Sequence, residues 1–229
     1  YAAQGADELV ILDVAATPEG RGHQLEVVRG VREVLPLPLT VGGGVRRVAD
    51  AEALLEAGAD KVSLNTAAVT DPALLGELAG RFGRQCTVLA LDAARAGAGW
   101  EVVIRSGRER PGLDAVRWAV EATGAGAGEI LLTSWDRDGT GAGYDLELLR
   151  AVTSAVTVPV IASGGAATPE HMAEALAAGA DAVLAATILH DGHTTIPRLK
   201  RRLAELGANV RGSSTRRGEG GGSILSSEF

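Results

Sequence analysis

A (β/α)8 barrel of the TIM type, assembled from two repeated halves, is the α/β fold this sequence predicts, and three observations predict it. Short β-rich apolar runs alternate with longer segments of helical period, the order expected of βα units around a parallel sheet. Glycine supplies 31 of 229 residues, nearly twice the average share of roughly 7%, whereas the aromatics are only three Trp, two Tyr and two Phe. The core must therefore be Ala, Val, Leu and Ile, which suits parallel strands buried on both faces. The third observation is an internal repeat. One ungapped offset of 121 residues lays GADELVILD from Gly5 on GAGEILLTS from Gly126, and VGGGVRRVADAEALLEAGADKVSLNTA from Val41 on ASGGAATPEHMAEALAAGADAVLAATI from Ala162.

In chain order, strands are expected at Glu8–Val14, Leu37–Gly44, Lys61–Thr66, Thr87–Asp92, Glu129–Trp135, Pro159–Gly165 and Ala182–Thr187. Asp71-Pro72 and Thr168-Pro169 read as N-cap and first helical residue of two of the intervening helices. Trp100 to Arg105 reads as an extra extended piece inserted after Asp92. The repeat partner of the Thr87–Asp92 strand would fall before residue 1, so YAAQG reads as the end of the helix that followed that strand. The expectation is a barrel domain over residues 1–211 that lacks its first βα unit, either N-terminally incomplete or closed in an unusual way, since an open arc exposes sheet edges. Residues 212–229, GSSTRRGEGGGSILSSEF, read as a flexible Gly/Ser-rich tail. That tail has at most its short ILSSEF piece to lend to the gap, and disorder is the expectation. LKRRLAEL from Leu199 reads as the solvated face of the last helix.

Composition excludes several function classes. The net charge of −7 and the absence of a dense Lys/Arg block argue against nucleic acid or a polybasic membrane patch as partner. No apolar run approaches the roughly 18 residues needed to span a bilayer. A single cysteine, Cys86, excludes an internal disulfide and a multi-cysteine zinc site, and it reads as a core residue. His23, His171, His190 and His193 lack metal-ligand spacing, so no metal or other cofactor is expected. The N-terminus lacks the basic-then-apolar order of a secretory signal, and a cytoplasmic setting is expected.

In such a barrel the active site lies at the C-terminal ends of the strands. The polar and glycine residues there are Asp13, Gly42 to Gly44, Asn65, Thr66, Asp92, Thr133, Ser134, Asp136, Asp138, Ser163 to Gly165, Ala186 and Thr187. Glycine after a strand lets backbone N–H groups approach a phosphate without help from Lys or Arg. Duplication of that feature predicts two phosphate sites facing one another across the mouth, hence an elongated bisphosphorylated ligand. Asp92 ends the apolar strand VLALD, where a carboxylate can give or take protons. A loop aspartate bonded to backbone N–H groups fits the same sequence.

At these residues the sequence closely resembles the cyclase subunit of imidazole glycerol phosphate synthase, a two-fold repeated (β/α)8 barrel of histidine biosynthesis. The resemblance spans Tyr1 to about Arg211 and is carried by GADELVILDVAAT, TVGGGVRRVADAEALLEAGADKVSLNTAAV, LALDA, GAGEILLTSWDRDGTGAGYD, IASGGA and LGANVR. It implies cyclisation of a bisphosphorylated ribulosyl-formimino-aminoimidazole carboxamide intermediate with ammonia, giving imidazole glycerol phosphate and aminoimidazole carboxamide ribotide. It implies Asp92 as one member of an acid/base pair. The other member, on the first strand, and the lysine after that strand have no counterpart here, so weak or absent activity of this chain is implied. Phosphate contacts fall on Gly44, Asn65 and Thr66 at one end and on Asp138, Gly139, Gly165, Ala186 and Thr187 at the other, with Ser106, Thr133 and Ser163 as further substrate contacts. The resemblance also implies a glutaminase partner that docks on the opposite face and supplies ammonia through the barrel. Glu8, Lys61 and Glu129 match the charged entrance and Asp60 a partner contact, although an ordinary charge at a strand start fits each of the four. The sister phosphoribosyl-formimino isomerase, which shares the repeat but lacks the GYD and NVR features, and a non-catalytic glutaminase-binding scaffold are the alternative readings.

Overall fold

The computed structural model describes residues 1–13, 25–212 and 223–228. Its strands are β1 (Glu8–Leu12), β2 (Leu39–Gly42), β3 (Lys61–Leu64), β4 (Thr87–Ala96), β5 (Gly99–Val103), β6 (Glu129–Ser134), β7 (Val160–Ser163), β8 (Ala182–Ala185) and β9 (Ser223–Glu228). All but β5 pair in parallel around a closed ring, β1-β2-β3-β4-β6-β7-β8-β9 and back to β1. β5 is the insertion: it folds back antiparallel on β4, with Asp92 opposite Val103 and Ala96 opposite Gly99.

The helices are α1 (Leu25–Val34), α2 (Val48–Glu56), α3 (Thr66–Thr70), α4 (Ala73–Phe82), α5 (Ala115–Ala125), α6 (Leu146–Thr153), α7 (Pro169–Ala177), α8 (Thr187–His190) and α9 (Ile196–Glu205). None is long and apolar enough to cross a membrane among the described residues. Thr168 caps α7, accepting the His171 N–H at 3.2 Å, and Pro169 opens the helix as expected. The Asp71-Pro72 helix begins one residue later than expected, at Ala73, whose N–H is bonded to Asp71 Oδ1 at 3.2 Å.

Strand alternation sorts the apolar residues into two cores. Val10, Val88, Leu131, Ile161, Ala182 and Leu184 fill the barrel interior. Leu39, Leu64, Leu89, Leu91 and Ile130 face outward and meet Leu54, Leu75, Leu78, Leu148, Leu149, Met172 and Leu199 in the layer between sheet and helices. The aromatic-poor composition serves both layers, because short aliphatic side chains fill a narrow lumen and let helices lie close to the sheet.

The repeat is present in three dimensions. β2, β3 and α2 recur as β7, β8 and α7 at the same sequence offset. Asp60 accepts the Leu39 N–H at 2.8 Å, and its repeat partner Asp181 accepts the Val160 N–H at 2.9 Å. Gly43 and Gly44 have φ of 95° and 74°, and Gly164 and Gly165 have φ of 90° and 93°, left-handed backbone that favours glycine. These turns also stop β2 and β7 earlier than the sequence suggests.

The slot between β1 and β8 is where structure and sequence expectation part. Residues 212–229 were expected to be a flexible tail, yet Ser223–Glu228 stands as the eighth stave, pairing Leu225 with Glu8 on one side and with Leu184 on the other. Edge strands β1 and β8 would otherwise present unpaired N–H and C=O groups to each other across an open slot. Two smaller expectations also change. Cys86 is only half-buried, in a short 3-10 turn ahead of β4. Lys200 of α9 is not solvated: its side chain is 9% exposed and bonds Asp7 at 2.8 Å.

Leu225→Pro tests the stave in the full-length chain. A proline in a paired central strand costs about 3 kcal/mol, so the thermal midpoint is expected to fall by about 10 °C. An unchanged midpoint in a calorimetric scan means that the segment does not pair.

Candidate active site at the barrel mouth

The C-terminal ends of the strands surround a cavity of about 900 Å³, within the size range of small-molecule sites. Asp92, Gly44, Asn65, Thr66, Ser106, Thr133, Asp138, Gly139, Ser163, Gly165, Ala186 and Thr187 all line it. Each is a residue that the sequence predicts for the site, and the fold brings all of them to one place.

Asp92 lies at the cavity floor, directly above the apolar interior. Inward positions of β4 run Val88, Ala90, Asp92, so the carboxyl is the first polar group above a hydrocarbon layer. Asn65, just past β3, donates from Nδ2 to Asp92 Oδ2 at 2.8 Å and to the Val103 carbonyl at 3.2 Å. Burial pushes the Asp92 carboxyl up, the Asn65 bond pulls it down, the negative charge of Asp138 raises it, and the Thr133 bond lowers it. The balance leaves it raised to about 6. A carboxyl poised near neutrality in such a cavity serves as either acid or base.

The loop after β6 holds the far wall through the GYD segment. Tyr144 is buried and donates from its hydroxyl to the Leu184 carbonyl at 2.8 Å; burial drives its phenol well above the ordinary tyrosine value. Asp145 caps α6 by accepting the Leu148 N–H at 3.0 Å, and its other oxygen accepts Trp100 Nε1–H at 3.0 Å. Tyr144 and Asp145 thus tie this loop to β8 and to the β4–β5 hairpin. Asp136 also has a local partner, accepting the Arg95 N–H at 2.6 Å.

At the opposite end of the barrel, Lys61 bonds Glu8 at 3.0 Å and Glu129 at 2.7 Å. Burial alone would lower the lysine pKa, but the two carboxylates outweigh it and hold it above the ordinary value. Burial raises Glu129 despite Lys61, and Glu129 Oε1 is buried without a hydrogen-bond partner. Asp60 stands apart from this cluster, paired with Arg32 and with the β2 backbone.

Arg46, Asp71, Arg105 and His193, none of which the sequence marks as a site residue, also line the cavity. Only their proximity to strand ends or to the inserted hairpin signalled them. No group of three or more His, Cys, Asp or Glu side chains suited to a metal ion occurs among the described residues.

Residues 1–195 match a family described as Histidine biosynthesis protein. The chain belongs to this family. It is 56% identical over 218 residues to "Imidazole glycerol phosphate synthase subunit HisF" of Mycobacterium tuberculosis strain H37Ra, covering 92% of this chain and 82% of that protein. It is also 56% identical over 211 residues to the protein of the same name from Pyrobaculum aerophilum, covering 92% of this chain and 83% of that one. Homology to HisF supports the cyclase subunit in histidine biosynthesis, and the closed parallel barrel agrees with that family's fold.

The structural reading of Asp145 is testable. Asp145→Ala loses a helix cap and a buried bond, about 2 kcal/mol together, and is expected to lower the thermal midpoint by about 4–8 °C with a red shift of tryptophan emission. Asp145→Asn, which keeps an acceptor, is expected to lose less than half as much.

Proposed function

We propose that this chain carries the cyclase chemistry of the HisF family: ammonia and a bisphosphorylated ribulosyl-formimino-aminoimidazole carboxamide intermediate give imidazole glycerol phosphate and aminoimidazole carboxamide ribotide. The observation that carries this reading is the placement of Asp92, with a raised pKa, between two repeated glycine cradles. A ligand with a phosphate at each end, gripped at Gly44, Asn65 and Thr66 on one side and at Asp138, Gly139, Gly165, Ala186 and Thr187 on the other, spans the mouth with its middle over Asp92. Ser106, Thr133 and Ser163 are then its neighbours along the way. Asp92 as carboxylate takes a proton during ammonia addition, and as carboxylic acid returns one to the leaving group. The shared name of the relatives favours this cyclisation over the sister isomerase.

Glu8, Lys61 and Glu129 on the far face suit an entrance for ammonia from a glutaminase subunit, with Asp60 on the rim as a partner contact. The name of the relatives, each a subunit, supports such a partner. The reading places both proteins in the cytoplasm and requires no cofactor.

Turnover by this chain is proposed to be slow. In the family the acid/base pair includes a carboxylate on the first strand. The stave in that position here, β9, pairs Leu225 with Glu8 as β4 pairs Val88 with Glu129, so its Glu228 takes the register place of Leu91 and not that of Asp92. One acid/base group is worth about 10²-fold or more in rate. A scaffold that binds glutaminase without turnover is the second reading, favoured by an intact Glu8–Lys61–Glu129 cluster beside this incomplete pair.

Purified chain supplied with the intermediate and ammonium is expected to form both products about 10²-fold more slowly than a complete family member, and normal turnover refutes the incomplete pair. Asp92→Asn is expected to remove about 10²-fold of what remains; an unaffected rate refutes Asp92 as acid/base group.

The pH profile of kcat/KM checks the carboxylate separately. Activity that needs ionised Asp92 is lost as pH falls through about 6. Asn65→Ala removes a bond to the charged form and is expected to move that inflection up, whereas Asp138→Asn removes a like charge and is expected to move it down.

A further inference from the structure

The two cradles share a backbone but not a charge. The arginines lining the cavity among the described residues are Arg46 and Arg105, and no lysine lines it. Both arginines belong to the cradle of β2 and β3. Arg46 lies two residues after Gly44, while the repeat puts Ala167 in the equivalent place of the other cradle. Arg105 reaches the same cradle from the inserted hairpin, its N–H donating to Thr66 Oγ1 at 3.0 Å. The hydroxyl that accepts this bond keeps its own proton to donate to an anion.

The turn that carries Arg105 is held in an unfavourable backbone. Arg105 and Ser106 both have φ of 53°, and Gly107 has φ of 83°. Non-glycine residues rarely adopt this region and persist only where the surroundings impose them. The surroundings are visible: Ile104 and Glu109 bridge the turn's ends, Thr66 holds its middle, and Trp135 packs so close that a Cβ on Gly107 would lie 2.0 Å from the ring. The Arg105 guanidinium is paired with Glu109 at 2.9 Å, with both side chains more than half exposed. Such a pair contributes little in water, so exchanging Glu109 for a phosphate oxygen loses little.

We infer that Arg105 is a substrate-anchoring residue for the phosphate group in the β2–β3 cradle, and that this end supplies most of the electrostatic grip on the ligand. The inference rests on the two-cradle reading above and adds to it which end holds harder and through which side chain. The second cradle works mainly through backbone, with His193 as the basic side chain that lines the cavity from the loop after α8.

The test is titration of the full-length chain with inorganic phosphate at low salt, followed by calorimetry and by the emission of Trp135 beside the turn. Arg105→Ala and Arg105→Gly are expected to weaken binding about tenfold, the scale of a charge-assisted bond. Both variants are also expected to flatten the dependence of affinity on salt. Arg105→Lys is expected to recover to within about threefold. Arg108→Ala, in the same turn but outside the cavity, is expected to bind as the unaltered chain does. No phosphate binding by the unaltered chain, full affinity in Arg105→Ala, or equal losses in Arg105→Ala and Arg108→Ala would each overturn the inference. Binding is read without turnover, so a chain that binds phosphate through Arg105 yet forms no product sinks the cyclisation and leaves the anchor standing.

Discussion

Closure of the sheet between β1 and β8 is the constraint on which the rest of this structure depends. A parallel barrel has no edge to leave in water, and its interior side chains pack only when every stave is present. Here the closing backbone is Ser223–Glu228, hydrogen-bonded to β8 over Ala182–Ala185 and to β1 over Glu8–Ile11. The closing strand arrives from the far end of the chain, after α9, yet takes the same register against its neighbours that β4 takes in the other half. Ring closure asks only for backbone groups at the right height. It is therefore indifferent to which strand provides them, whereas the chemistry at the mouth is not.

Alternation along each strand then distributes function by height. On β3 the inward positions are Lys61, Ser63 and Asn65, and on β6 they are Glu129, Leu131 and Thr133. One end is ionic, the middle is hydrocarbon apart from the buried Ser63 hydroxyl, and the mouth carries the polar groups. The raised pKa of Asp92 follows from this layering, because a carboxyl seated on Val88, Ala90 and Leu131 is poorly solvated from below and receives its hydrogen bonds only from the side. The same layering accounts for the Lys61 cluster, in which one cation bonds two carboxylates because water reaches that end only partly.

The parts of this organisation legible in the sequence were those written as period or repeat. The offset between the halves foretold Gly43 and Gly164, Asp60 and Asp181, and the gathering of the site residues at one end. Contacts between elements distant in sequence left no such trace. Nothing in LKRRLAEL marks Lys200 for burial, since its partner Asp7 lies 193 residues away. Asp60 reads as a surface charge until Leu39 and Arg32 are seen around it. Arg105 sits in a hairpin without a repeat partner, so symmetry could not point to it. The closing strand was obscured by composition, because Gly/Ser-rich sequence predicts a chain without partners, and a slot between two distant strands is a partner no local pattern encodes.

The symmetry of the scaffold also accounts for why two equivalent positions need not act alike. The residue that bonds Asp92 is Asn65, at the end of β3, and its repeat partner at the end of β8 is Ala186. A carboxylate at the two-fold place opposite Asp92 would meet a methyl group where Asp92 meets an amide. The amide favours the charged form and the methyl does not, so the scaffold itself would set two such acids at different pKa values, the condition for one to give a proton while the other takes one. Doubling a half-barrel makes the cradles alike; a single Asn-to-Ala difference between the halves is enough to make the acids unlike.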